Sequence, residues 1–325
     1  MFGIVLFKML SRRITVGFSI IVLLLMLCYL DFHIGPYSNR EHKIWLPRGV
    51  ILVPFYLLCV VFLSREVIRI LNAAGLHPLS WTVYLGNILI VMNSWLANVF
   101  QQYHLDVRGT QISEGGWHWA ATASLFALLS IAFAVMISFG AEMRRYSHPG
   151  GVTINLAGSI FAISYLGLLS CFMIQLYMAY GVMALLSVVI VTKMCDMGAF
   201  FVGKAIGRNK MSPDLSPGKT IEGAIGGILF ACAGAWIWFV VIVPLYYPSR
   251  VSVLYGWVIF GIVVALAGMI GDLAGSLIKR DGHMKDSGHS VPGFGGVLDV
   301  FDSLLMAAPT AYFLWAFGFV CYAQH

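Results

Sequence analysis

Long apolar runs separated by short polar connections make up most of this 325-residue chain, and its charged residues collect in two late segments. Apolar stretches lie near 14–30, 49–64, 81–100, 118–140, 152–175, 178–192, 224–246, 252–270 and 304–321. Each approaches or reaches the roughly 20 residues that a helix needs to cross about 30 Å of hydrocarbon. The pattern predicts an all-α fold: a polytopic membrane helical bundle of about nine transmembrane helices, within a range of eight to ten. Residues 1–150 are expected to supply helices 1–4 as a scaffold, and 151–325 to supply helices 5–9 with the chemistry. The runs at 49–64 and 178–192 are short for a full crossing, so each is expected to be tilted, extended into its flank or re-entrant.

Composition removes the soluble alternatives. Hydrophobic residues make up 60% of the chain and charged ones 10%, whereas a water-facing surface needs roughly 25% charge. The first apolar run follows Lys8, Arg12 and Arg13. It is longer than a secretory signal core and no small-x-small cleavage site follows, so a retained signal-anchor helix is expected. Six cysteines lie in or beside apolar runs with no CxxC spacing and read as small buried residues. With the N-terminus inside and nine crossings, fifteen of the twenty Lys and Arg residues fall on the cytoplasmic side. That orientation puts segments 193–222 and 271–303 on the same side.

Those two segments hold eight of the fourteen acidic residues. Carboxylates beside apolar spans are costly and mark a functional site by default. Asp272 sits at the end of one span, and Asp299 and Asp302 lie three apart before the last, where a helix would put them on one face. Oxygen ligands without nearby His or Cys point to a hard cation, Mg²⁺ first and Mn²⁺ as the alternative. Around them stand Lys219, Lys279, Arg280 and Lys285 and the hydroxyls of Ser216, Thr220 and Ser276, an inventory that suits a polyphosphate. On a continuing helix Asp272, Ser276, Lys279 and Arg280 form one stripe. The glycines of Pro292-Gly293-Phe294-Gly295-Gly296 could bring backbone N–H groups to an anion or simply turn the chain. Ser216-Pro217-Gly218-Lys219-Thr220 ends like a phosphate-binding loop, but Pro213 stands where GxxxxGK[ST] needs glycine. Asp214, Asp281 and His283 read as solvated loop residues.

The run Ser276-Leu-Ile-Lys279-Arg280, Lys285-Asp286, Gly288, Val291-Pro292, Gly295-Gly296-Val, Asp299 and Asp302 resembles the signature of the CDP-diacylglycerol synthases, also called phosphatidate cytidylyltransferases. A second stretch is similar to another motif of that family: Asp196, Gly198, Gly203, Gly207-Arg208, Lys210, Pro213, Ser216-Pro217, Lys219-Thr220 and Glu222-Gly223. Together they cover about sixty residues in order and spacing. Two departures are visible: Phe294 stands where the family usually has His, and Val300 where it usually has Arg. Gly218 replaces a frequent lysine.

The resemblance implies a membrane enzyme that makes CDP-diacylglycerol and pyrophosphate from CTP and phosphatidic acid with Mg²⁺. It implies a catalytic set of Asp272, Lys279, Arg280, Lys285, Asp286, Asp299 and Asp302, with Asp272, Asp299 and Asp302 on the metal. Asp196, Ser216, Lys219, Thr220, Ser276, Gly295 and Gly296 would meet substrate, Asp196 either behind the metal or as a partner of Lys193. The phosphate monoester nucleophile has a second pKa of about 6 and needs no protein base. Another lipid phosphate as acceptor is the nearest alternative, and an ion-coupled transporter the alternative of another class, though the first half lacks a matching charged segment. Asn87, Asn93, Ser94 and Asn155 are expected to join helices. Arg65, Glu66 and Arg69 are read as topogenic charge. Membrane lipids are expected partners, a homodimer is compatible with such a bundle, and nothing calls for nucleic acid.

Overall fold

A computed structural model describes residues 2–34, 47–108, 117–147, 150–246, 250–293 and 295–323. Among these residues are nine helices: α1 Phe2–Ile34, α2 Leu52–Ala73, α3 Ser80–Arg108, α4 Trp117–Arg145, α5 Val152–Tyr180, α6 Val182–Ile206, α7 Ile221–Tyr246, α8 Gly256–Asp281 and α9 Leu298–Ala316. Every predicted apolar run overlaps one of them. Turns of wider π geometry interrupt α5 at Ile163–Leu168 and α7 at Ile237–Ile242. A short hairpin pairs β1 (Lys210–Ser212) antiparallel with β2 (Ser216–Thr220), and β3 (Arg250–Ser252) pairs with β4 (Cys321–Ala323).

Six of the helices, α3 to α8, are long and apolar enough to cross a membrane. The expected nine is reached only by counting α1, α2 and α9, of which α2 carries Arg65, Glu66 and Arg69 and α9 begins with two aspartates. The short run at 178–192 is explained by extension: α6 continues to Ile206 and takes Lys193 and Asp196 with it.

The chain forms two compact units. One comprises Met1–Met178 with Asp286–Val300, the other Ala179–Lys285 with Phe301–His325. Part of the second charged segment, residues 286–300, therefore packs with the N-terminal helices.

In the first unit, Asp31 at the end of α1 caps α2. Its carboxylate accepts the N–H groups of Gly49 at 3.0 Å and Ile51 at 2.9 Å, and the Tyr177 hydroxyl of α5 also donates to it. A carboxylate there meets the positive end of the helix dipole. Asn87 of α3 donates to Ser64 of α2 at 2.8 Å, and Asn93 donates to Ser130 of α4 at 2.7 Å. Asn155 accepts the His77 N–H at 3.0 Å, while Ser94 bonds within its own helix to Ile90. Asn87, Asn93 and Asn155 thus tie separate segments together, and the Ser94 side chain also hydrogen-bonds Cys171 of α5.

In the second unit, small residues bring backbones close. A methyl group at Gly226 of α7 would stand 2.4 Å from the Val202 Cβ of α6, and one at Gly198 would stand 2.5 Å from the Phe230 Cβ. The same device sets α9 against α8: a methyl at Gly271 would meet the Asp302 carbonyl oxygen at 2.4 Å, and one at Gly275 the Asp302 Cβ at 2.9 Å. Trp315 of α9 then donates to Ser187 of α6 at 3.3 Å. Packing of α8 and α9, rather than a loop, fixes where Asp302 lies.

Candidate active site

The residues singled out by the sequence fall into two sets, one in each unit. In the second unit Asp272 lies on α8, and β2 delivers Lys219 so that its Nζ sits 2.8 Å from Asp272 Oδ2. Lys279, 7% exposed, lies two turns further along α8 with its Nζ 3.9 Å from Asp302 Oδ2. Lys193 of α6 pairs with Asp196 at 3.0 Å and donates to Ser303 Oγ at 3.4 Å. Lysines from three elements therefore surround two aspartates.

Asp302 is buried at the start of the second turn of α9, ahead of that helix's apolar run. Burial, and then the Asp272 carboxylate, push its carboxyl up to about 7. Lys279, Lys193 and the Ser303 N–H, which donates at 2.7 Å, oppose that rise without cancelling it. The local cationic charge thus does not offset the burial of the Asp302 carboxyl. Lys219 presents the complementary shortage. Its enclosed ammonium meets no hydrogen-bond acceptor among the described residues beyond its ion-pair partner Asp272, although an ammonium carries three donors.

A hard divalent cation fits this donor set. Among the described residues no three or more His, Cys, Asp and Glu side chains gather closely enough to cage a metal. Mg²⁺ does not need such a cage, because it commonly binds through one or two carboxylates and completes its octahedron with water and substrate phosphates. Asp272 and Asp302 offer that pair.

The remaining second-unit residues are more varied. Arg280 is exposed and reaches the carbonyl oxygens of Leu215 and Met284, each at 3.4 Å. The stripe of Asp272, Ser276, Lys279 and Arg280 therefore divides, with Lys279 directed inward and Arg280 toward the hairpin. Lys285 is exposed, and Ser216 and Ser276 are half-buried. Thr220, expected to close over an anion, is buried as the N-cap of α7, where its Oγ1 accepts the Gly223 N–H at 3.1 Å. Glu222 accepts from the Arg208 and Asn209 N–H groups, each at 3.1 Å, and ties the hairpin to the same helix. Asp214, Asp281 and His283 are exposed, as expected of solvated loop residues.

In the first unit, segment 286–300 is organised around two carboxylates. Asp299 Oδ2 accepts from the Ser287 N–H at 3.0 Å, the Ser287 hydroxyl at 3.0 Å and the Gly296 N–H at 2.8 Å. Glu66, reaching in from α2, is 5% exposed. Its Oε1 accepts from Ser290 Oγ and the Val297 N–H at 2.9 Å each; its Oε2 accepts from Ser287 Oγ and the Leu298 N–H at 2.8 Å each. Gly295 exchanges backbone bonds with Val291 around a turn in which Gly293 and Gly295 have positive φ. The N–H groups of Gly295 and Gly296, read from sequence as anion contacts, are thus engaged by a carbonyl and a carboxylate of the protein itself. Asp286 is exposed in this segment, and Phe294 lies outside the described residues.

Two residues escaped the sequence reading. Glu66 was taken for topogenic charge, and its buried environment rules that out. Lys193 reads in the sequence as topogenic charge and a partner of Asp196, yet it also donates to Ser303 beside Asp302.

Comparison with known proteins places the chain among relatives of one kind. A model described as the cytidylyltransferase family matches residues 42–317. A phosphatidate cytidylyltransferase of Bacillus subtilis is 33% identical over 199 residues, covering 59% of this chain and 67% of the relative. The protein of that name from Haemophilus influenzae is 37% identical over 145 residues, and the match spans 43% of this chain and about half, 48%, of the relative. One from Thermotoga maritima is 32% identical over 187 residues, covering 58% and 68%.

Proposed function

The chain belongs to the cytidylyltransferase family of nucleotidyltransferase enzymes, and we propose that it is an integral membrane enzyme that transfers the cytidylyl group of CTP to phosphatidic acid. A phosphate oxygen of the lipid forms a bond to the α-phosphorus of CTP, the bond from that phosphorus to the bridging β-phosphate oxygen breaks, and pyrophosphate leaves. The products are CDP-diacylglycerol and pyrophosphate. The names of its relatives supply the substrates.

The observation that carries the reading is the second-unit cluster, where Lys219 and Lys279 stand against Asp272 and Asp302 and the Lys219 ammonium meets no further acceptor among the described residues. The nucleophile's second pKa of about 6 leaves it mostly ionised at neutral pH, so no side chain has to remove a proton. What the reaction requires is neutralisation, since a dianion must approach a polyanion and charge must be accommodated on the leaving group. Lys219 turns its spare N–H donors to the phosphates, and Lys193 and Lys279 supply fixed positive charge beside Asp302. Arg280 and Lys285, both exposed, draw in the nucleotide. Asp272 and Asp302 hold Mg²⁺, or Mn²⁺ in its place. When bound, the metal supplies Lewis-acid charge to the α-phosphate and the departing pyrophosphate. Asp299 serves its own loop in this scheme. The cluster faces the cytoplasm, in keeping with the distribution of Lys and Arg.

Incubation of detergent-purified protein with CTP labelled in the cytidine ring tests the proposal. Label is expected to enter the lipid phase with phosphatidic acid and Mg²⁺ and to stay in water with EDTA. Equal or faster labelling of an isoprenoid or ether-lipid phosphate would change the acceptor; no labelling with any lipid phosphate would overturn the reading.

A further inference from the structure

We infer that Glu66 is a positioning residue for segment 286–300 and for the start of α9, an inference that rests on the cytidylyl-transfer reading. Two hundred and twenty-one residues separate it from Ser287, so no motif in the late segments includes it. A carboxylate has about four lone-pair sites. Those of Glu66 are filled symmetrically, each oxygen taking one backbone N–H and one serine hydroxyl. Both N–H groups, from Val297 and Leu298, belong to the opening of α9, where the helix dipole favours a negative charge.

The loop is shaped to this one side chain. A methyl at Gly288 would stand 2.7 Å from Glu66 Oε1, and one at Gly296 would stand 2.3 Å from Oε2. Two of the late-segment glycines therefore make room for an internal carboxylate. Ser287 carries the effect onward: its hydroxyl lies 2.8 Å from Glu66 and 3.0 Å from Asp299, and its single proton serves one of them at a time. Glutamine is a poor replacement for Glu66, because its NH₂ group would face a backbone N–H on whichever side it occupied.

The test uses the full chain in detergent as wild type, Glu66→Gln, Ser290→Ala and the double variant. It reads kcat at saturating CTP and phosphatidic acid together with amide exchange across 287–298. Glu66→Gln is expected to lower kcat by about 30-fold, since it leaves buried donors unpaired, and Ser290→Ala by about 3-fold, since it takes one donor from the buried Glu66 carboxylate. The double variant should be no worse than Glu66→Gln within about twofold, because both act through one carboxylate. Exchange in 287–298 should quicken in each single variant while that of α6 and α7 stays unchanged, a split that general destabilisation would not produce. If Glu66→Gln does not fold, Ser290→Ala alone decides by the same two readouts. Wild-type kcat with wild-type protection of 287–298 in the folded variants would overturn the proposal, as would losses that multiply. A wild-type protein inactive toward CTP and lipid phosphate would instead defeat the proposed function, and loop exchange would still decide the role of Glu66.

Discussion

Glu66 in the first unit and Asp302 in the second are equally buried, each 5% exposed, yet they are neutralised in opposite ways. Glu66 receives two backbone N–H groups and two hydroxyls and needs no cation. Asp302 faces a second carboxylate, the Lys279 ammonium stands 3.9 Å from it, and its carboxyl is pushed up to about 7. A saturated carboxylate holds a shape, whereas an under-neutralised Asp302 in the same cluster as the under-partnered Lys219 ammonium suits the uptake of a cation and an anion. The difference separates the structural centre of one unit from the proposed chemical centre of the other.

Removing charge from the second centre should produce the largest effect on turnover. Asp272→Asn is expected to lower kcat by about 100-fold or more, the scale of losing a preorganised electrostatic element. Its melting temperature should move little, because the Lys219 pair is partly exposed and such pairs contribute about 1 kcal/mol or less. Steady-state kinetics and thermal unfolding of one preparation check both. A large fall in melting temperature with normal kcat would make Asp272 a structural residue like Glu66.

Lys219→Gln removes the ammonium and leaves a neutral polar side chain one atom shorter. It is expected to raise the KM for CTP by about tenfold, corresponding to about 1.4 kcal/mol, with a smaller change in the KM for phosphatidic acid. Initial rates over a CTP series measure this, and unchanged CTP dependence would remove Lys219 from the nucleotide's surroundings.

The raised carboxyl of Asp302 has a signed consequence for stability. Between its ordinary 3.8 and about 7 the folded chain holds a proton that the unfolded chain has released. Metal-free stability must therefore fall as pH rises through that window. The melting temperature of EDTA-treated protein should drop by about a few degrees between roughly pH 5 and pH 8, and Mg²⁺ should restore it most at the higher pH. In Asp302→Asn the part of this slope due to Asp302 should vanish; an identical slope would contradict the assignment.

The smallest effect on chemistry belongs to another saturated carboxylate of the first unit. Asp31→Asn weakens the cap on α2 and should cost about 1 to 2 kcal/mol of stability with kcat unchanged. Thermal unfolding and turnover together would show it, and a selective loss of kcat would blur the distinction between the two units.

Legibility in the sequence follows the same division. Apolar runs reveal helices because hydrocarbon leaves a spanning backbone no other internal partner, and all nine predicted runs fall on helices. Asp272, Asp302, Lys219 and Lys279 were legible because charge beside a span is expensive, and the structure brings them together as ion pairs. Glu66 was not, since it sits on α2 between Arg65 and Arg69, where charge has an ordinary topogenic reading, and its partners lie more than two hundred residues away. Lys193 was obscured by Asp196 three residues on, a local partner that seemed sufficient. Gly295, Gly296 and Thr220 were recognised as significant for a different reason from the one observed: their bonds serve a turn, an internal carboxylate and a helix cap.

The most direct test of the second unit's role is Mg²⁺-dependent pyrophosphate release from CTP, with and without phosphatidic acid, by wild-type and Asp302→Asn protein of matched folded fraction. Release should require both lipid and metal in the wild type and fall by about 100-fold or more in the variant, whose melting temperature in EDTA should equal or exceed that of the wild type near neutral pH. Wild-type release by Asp302→Asn at the same Mg²⁺ concentration would contradict the assignment of the chemistry to this cluster.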